Sequence, residues 1–201
     1  MNDEESIVQA LINRCFLLLE ASGRHVHLTQ DDAMQLFGHG LTEKRPLSQP
    51  GQFLCQERLS LVGPKGTMEN VAVLGPVRKE SQVEISATDA RSLGISAPVR
   101  LSGDIASTPG IILRGPNGSV ELPQGVIVAK RHIHMTPEDA ARHGLKSGDS
   151  VRVRCFTERP ITLEQVPVRV SEKFSTVLHM DYDEANACGF QPGDLGLIEH
   201  G

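Results

Sequence analysis

The sequence predicts a mainly β protein made of small barrels or sandwiches, with short helices and an internal duplication. Three observations carry this. Strand-like runs alternate with turn residues, and 19 Gly and 12 Pro are spread over the 201 residues. Helix-start signals do not alternate regularly with strands, which argues against a parallel α/β sheet. SGRHVHLTQDDA, at residues 22–33, returns as AKRHIHMTPEDA at residues 129–140, so that Arg24, His25, Val26 and His27 match Arg131, His132, Ile133 and His134.

Taken in order, residues 1–14 read as a short amphipathic helix with an acidic start and apolar Ile7, Val8, Leu11 and Ile12. FLLLEASGRHVHL reads as one strand, and TQDDAMQLFG as a helix with Thr29 as N-cap and Asp32 at the capping-box position. Residues 38–57, mixing Gly, Pro and charge, read as a long loop. LSLVGPKGTMENVAVLG is a hairpin signal turning around Gly63 and Gly66, and ILRGPNGSVEL is a second. After the second His-x-His, Thr136 and Pro137 mark a helix start, and His143 falls where a cation suits the helix dipole. VRVRCFTERPITLEQVPVRV adds two strands with a turn near Pro160. A second repeat aligns VEISATDARSLGI, from Val83, with LHMDYDEANACGF, from Leu178. In that register Asp89 meets Glu184, Gly94 meets Gly189, and Glu84 falls opposite His179.

Composition narrows the partners. Aromatics are 3 % of the chain, Trp is absent and the net charge is −5, which disfavours stacking platforms for single strands and a general hold on phosphate backbones. A small molecule is expected, not a nucleic acid. Cys15, Cys55, Cys155 and Cys188 form no CxxC pair and follow no visible secretory signal, so a reducing, cytoplasm-like compartment is expected, with each cysteine a small buried hydrophobe. The apolar run at residues 15–19 is too short to span a bilayer, and no membrane partner is expected.

The spacing of the histidines is chemical. Residues i and i+2 of a strand project to the same face, so each His-x-His can turn two imidazoles toward one ion. Zinc accepts such nitrogens together with a carboxylate or third imidazole, and three-ligand sites keep one position open. His25, His27 and Glu84 would form one site, and His132, His134 and His179 the other. A lone His-x-His is more often incidental, but two copies with a third donor in matching register are not easily so explained. Arg78, six residues before Glu84, is expected on the same face of an extended strand, where its guanidinium suits phosphate or carboxylate. Arg24 and Arg131 alternate with the histidines and are expected to point away in structural roles; His39 and His200 carry no assignment.

RHVHLT, LVGPKG, VLGPVRKESQVEIS, AKRHIHMTPEDA and LHMDYDEANACG, in that order, closely resemble the phosphate propanoyltransferase family, the phosphotransacylases associated with bacterial microcompartments. The resemblance runs from about Ser22 onward and implies two small β-barrel domains with short capping helices, related by internal duplication, with strands exchanged between halves. Residues 15–22 and 130–201 would form one barrel, and residues 23–129, with the loop at 38–57, the other. It further implies two zinc ions per chain, close together at the barrel interface, with the six ligands named above and Arg78 as the catalytic, phosphate-binding residue. The implied reaction is exchange of a short acyl group, propanoyl or acetyl, between CoA and phosphate, without a cysteine nucleophile. Acyl-CoA and phosphate are the implied partners; a homodimer or higher oligomer, cytoplasmic or inside a microcompartment with its shell or cargo proteins, is the expected setting.

Two rival classes bear on the same residues. A cupin-like metal oxygenase would use His132, His134, Glu138 and His179, although the helix start at Thr136 should carry Glu138 off the strand face. A non-catalytic, zinc-stabilised microcompartment scaffold would not need open coordination positions beside Arg78. Between the two zincs, the all-histidine site carries the higher net charge and is expected to take phosphate, leaving the Glu84 site to the CoA sulfur.

Overall fold

The computed structural model describes residues 15–199; the helix expected over residues 1–14 and His200 lie outside them. The described chain begins β1 (Leu17–Ala21), β2 (His25–His27), α1 (Gln30–Phe37), β3 (Glu43–Pro46), β4 (Phe53–Val62), β5 (Thr67–Gly75), β6 (Gln82–Ile85), α2 (Ala87–Leu93) and β7 (Val99–Arg100). It continues through β8 (Ile111–Arg114), β9 (Ser119–Leu122), β10 (Val126–Ala129), β11 (His132–Met135), α3 (Pro137–Arg142), β12 (Ser150–Phe156), β13 (Ile161–Val170), β14 (Val177–Met180), α4 (Tyr182–Cys188) and β15 (Leu195–Glu199).

These elements form two compact units, one holding the chain up to Ser22, Arg131–Met180 and the chain from Glu184, the other Gly23–Lys130 with Asp181–Asp183. The first is a closed barrel in the order β1, β14, β11, β13, β12, β15. Its wall follows the two-residue period: Leu17 and Leu19 are buried while Leu18 faces out, and Val151, Val153 and Cys155 are buried between outward arginines. Ile133, Met135, Val168, Leu178 and Met180 complete its core. The second is a nine-stranded sheet curled into a half-barrel, in the order β7, β10, β6, β2, β5, β4, β8, β9, with β3 alongside β4. Val26, Leu28, Leu36, Leu61, Val73, Val83 and Leu113 lie in its own core.

The duplication is written in the pairing. Each His-x-His strand lies between a parallel and an antiparallel neighbour, β2 between β5 and β6, and β11 between β13 and β14. β1 leads into β2 yet pairs in parallel with β14, and β10 leads into β11 yet pairs in parallel with β6. The strand before each His-x-His is thus given to the other unit.

Three local expectations are corrected. FLLLEASGRHVHL is two strands, because the chain breaks pairing at Gly23, where an added Cβ would lie 2.6 Å from the Tyr182 ring. The loop expected over residues 38–57 contains β3 and the start of β4, paired from Glu43 with Cys55 to Pro46 with Phe53. β3 exposes all four side chains, so it carries no apolar alternation to read. In β4 the inward position of Glu57 breaks the apolar pattern; its carboxylate is buried because it accepts the Thr42 N–H at 3.1 Å. At α1, Thr29 caps as expected by accepting from the Asp32 N–H at 3.1 Å, but Asp32 does not return to the cap. Ser81 takes that place, accepting the Thr29 N–H at 2.9 Å and donating to Asp32. Thr176 does the same for the Thr136 N–H and Asp139 in the other copy.

Candidate metal centres

Among the described residues, two clusters of three His or carboxylate side chains bring one donor atom each to within 4.8 Å of one another: His25, His27 and Glu84, and His132, His134 and His179. The strands explain both. His25 and His27 share a face of β2, and Glu84 lies directly across from His25 on β6. His132 and His134 share a face of β11, with His179 directly across from His132 on β14.

In the first cluster all three residues are buried. The Nε2 atoms of His25 and His27 each stand 3.6 Å from Glu84 Oε1, too far for a hydrogen bond. Two ligands held at zinc distances in tetrahedral geometry stand about 3.3 Å apart, so the triad has the spacing of a donor set converging on one ion. His25 Nδ1–H donates to the Gly23 carbonyl at 2.7 Å, which leaves Nε2 with its lone pair toward the cluster. Electrostatics prepare the same forms. Burial alone would raise the Glu84 carboxyl, but His25, His27 and the surrounding donors together outweigh it and hold the group well below the usual carboxylate range. Burial, with His25 and Arg78 nearby, pushes His27 well below its ordinary value, so this imidazole is neutral. Burial lowers His25 as well, and Glu84 more than offsets it.

A hydrogen-bonded shell surrounds Glu84. Gln82 Nε2 donates to Glu84 Oε1 at 2.5 Å and to Ser102 Oγ at 3.0 Å, while Gln82 Oε1 accepts the Gly103 N–H at 2.7 Å. Arg78 is not on an extended strand with Glu84, as its spacing suggested. It lies in the turn between β5 and β6, held by its N–H to the Leu28 carbonyl at 2.8 Å and by Nη1 to Ser102 Oγ at 2.9 Å. Its charge nevertheless acts on both His25 and His27, so the fold returns it to the cluster by another route.

The second cluster is less enclosed. His134 is buried, while His132 and His179 are half-buried. Ring centroids lie 4.5 Å apart for His132 and His134, 5.2 Å for His132 and His179, and 5.1 Å for His134 and His179. The His134 ring stacks on Phe174 at 4.0 Å, with the Arg169 guanidinium 5.8 Å from the Phe174 centroid. Glu20, across from His179 on β1, places a carboxylate oxygen 3.9 Å from His179 Nδ1.

Arg24 and Arg131 turn to repeated ion pairs. Arg24 grips Asp89 at 2.9 and 3.1 Å, and Arg131 pairs with Glu184, the two acids that the second repeat aligned. His39 bonds the Gly40 carbonyl at 2.7 Å, and His143 caps α3 as expected. Glu138 sits exposed on α3, held by Arg142 at 3.0 Å, which removes it from the ligand set a cupin-like site would need. Cys55, Cys155 and Cys188 are buried; burial pushes the Cys55 and Cys155 thiols up to about 12, so neither is a nucleophile at neutral pH. Cys15 is exposed, against expectation, because it precedes the first barrel strand. No helix among the described residues is long and apolar enough to cross a membrane. The reading from sequence missed Gln82, Ser102, Phe174 and Glu20. Gln82, two residues before Glu84, was visible in principle through the strand period; the others are brought in by the fold.

Residues 18–191 match the family model described as Phosphate propanoyltransferase. A phosphate propanoyltransferase of Listeria monocytogenes is 52 % identical over 206 aligned residues, covering 98 % of this chain and 97 % of the relative. One of Enterococcus faecalis is 53 % identical over 182 residues, covering 90 % and 86 %. One of Thermotoga maritima is 48 % identical over 201 residues, covering 98 % and 96 %. The chain belongs to the phosphate propanoyltransferase family, a family of acyltransferases.

Proposed function

We propose that this protein exchanges a short acyl group, propanoyl or acetyl, between CoA and phosphate, with one zinc ion held at each cluster. The observation that carries the reading is the pair of three-donor clusters on corresponding strands of a chain alignable end to end with relatives of that name. His25, His27 and Glu84 would hold one ion, and His132, His134 and His179 the other; two imidazoles with a carboxylate, and three imidazoles, are both donor sets that zinc accepts with a position left open. Bound there, zinc supplies Lewis acidity toward an acyl or phosphate oxygen and affinity for a thiolate.

The remaining work falls to the chain. In the forward direction a phosphate oxygen attacks the thioester carbonyl carbon, the new C–O bond forms, and the C–S bond breaks to release CoA as thiolate. Arg78 supplies the orientation: a guanidinium carries five N–H donors in a rigid fork matched to phosphate. Its place revises the division of labour drawn from ligand charge. Arg78 stands with the first cluster and offsets the charge of Glu84, so phosphate is assigned to the His25, His27 and Glu84 side. Residence in the cytoplasm or in a bacterial microcompartment, with shell or cargo proteins as neighbours, and assembly as a homodimer or larger belong to the same proposal through the family resemblance.

The test is CoA release from acetyl-, propanoyl- and butanoyl-CoA, with and without phosphate, before and after chelation and zinc return. Phosphate-dependent release that chelation abolishes and zinc restores is expected. Two bound zincs with no acyl exchange would instead establish the scaffold reading. Arg78→Ala is expected to keep both zincs while the KM for phosphate rises about 10- to 100-fold, the worth of a hydrogen bond to a charged group. Loss of zinc, or an unchanged phosphate KM, would show the assignment of Arg78 to be wrong.

A further inference from the structure

We infer that Gln82 and Ser102 are positioning residues that hold the Glu84 carboxylate and the Arg78 guanidinium as one preset unit, coupling metal retention at the first cluster to phosphate affinity. This rests on the assignments of metal and phosphate proposed above.

The unit is built from a turn. LSGD, residues 101–104, closes with the Asp104 N–H donating to the Leu101 carbonyl at 3.0 Å, and Gly103 sits at φ +95°, the left-handed third position that a type II turn reserves for glycine. That turn aims the Gly103 N–H at Gln82 Oε1, 2.7 Å away. With the carbonyl end of the amide so fixed, its two N–H groups are directed to Glu84 Oε1 and Ser102 Oγ. A flipped amide would set oxygen against a carboxylate and nitrogen against an N–H, so the network admits one orientation. Ser102 Oγ accepts from both Gln82 Nε2 and Arg78 Nη1, at 3.0 and 2.9 Å. Its two lone pairs are thereby used, and the hydroxyl proton is left to donate. One hydroxyl therefore joins the guanidinium to the amide, and the amide carries that link to the carboxylate.

The duplication supplies the internal control. In the register that matches Glu84 with His179, Gln82 corresponds to Val177, a buried apolar residue. Where the third donor is a neutral imidazole, no amide stands beside it. Where the third donor is an anion, the chain buries a glutamine, 2 % exposed, and satisfies it at both ends. Simple packing would be served by valine in both copies.

The test reads metal affinity without substrates and kinetics separately, on the full chain with both zincs. Competition against a chromophoric chelator is expected to show that Gln82→Leu weakens one of the two zincs about 10- to 100-fold, the usual cost of losing a partner of a metal ligand. Ser102→Ala is expected to weaken the same zinc by less, to raise the phosphate KM about tenfold, and to leave the propanoyl-CoA KM in place. Ser102→Thr, which keeps the hydroxyl, is expected to restore both. Adding Ser102→Ala to Arg78→Ala is expected to leave the phosphate KM at the Arg78→Ala value, because both act through one grip. Multiplying effects in that double variant, or wild-type zinc affinity in both Gln82→Leu and Ser102→Ala, would overturn the inference. An unchanged phosphate KM in Arg78→Ala would overturn the coupling and, separately, the phosphate role of Arg78; weakened zinc in Gln82→Leu would then still identify what holds Glu84.

Discussion

His179→Ala is expected to release one zinc per chain and to lower acyl exchange about 10³-fold or more. His179 stands across from His132 on the antiparallel neighbour of the His-x-His strand, and its removal leaves two donors on β11. Among the described residues no other His, Cys or carboxylate joins this cluster: Glu20 stands 3.9 Å from His179 Nδ1, and Glu138 is paired with Arg142 on α3. A metal acting as Lewis acid is worth several kcal/mol of barrier, which sets the size of the loss. His132→Ala is expected to do the same. His143→Ala, at the C-cap of α3 and in neither cluster, is the control that retains both ions. Metal content by atomic emission alongside turnover decides the matter; two zincs in His179→Ala would exclude the residue as a ligand.

Glu84 gives the second large effect, and two substitutions separate its possible roles. Glu84→Ala removes a buried donor and leaves the Gln82 N–H facing a void, so one zinc and most activity are expected to go. Glu84→His restores three donors and makes the two clusters alike in composition. Zinc content is then expected to return to two, but with lower affinity at this site and slower exchange, because the Gln82 amide is arranged to donate to an anion, which an imidazole is not. A surface carboxylate in a structural role predicts the opposite, two zincs and full turnover in Glu84→Ala. Its 6 % exposure already disfavours that reading.

Much of the site was legible along the chain because β structure has a period of two. His25 with His27, and His132 with His134, had to share faces once those segments were strands, and the registers of the two repeats singled out Glu84 and His179 as third donors. The same registers matched Asp89 with Glu184, and the structure shows why both are acids: each anchors the arginine that precedes its His-x-His. Local chemistry was equally readable at Thr29 and Thr136, where a hydroxyl three residues before an acid caps a helix.

Periodicity states which way a side chain faces, not which strand lies beside it. The parallel pairings of β1 with β14 and of β10 with β6 join segments far apart in sequence, and no alternation within either segment encodes its partner. The close approach of Tyr182 to Gly23 comes from the fold, and β3 pairs through its backbone while all its side chains face solvent. Arg78 reaches the histidines by a turn held on Leu28, and Ser102 reaches Gln82 by a turn that only folding brings to β6. The pairing of the histidines on one face was determined by the sequence, because i and i+2 are local to a strand. Their supporting shell was decided by tertiary structure, because a hydrogen bond between distant segments depends on where whole strands are placed.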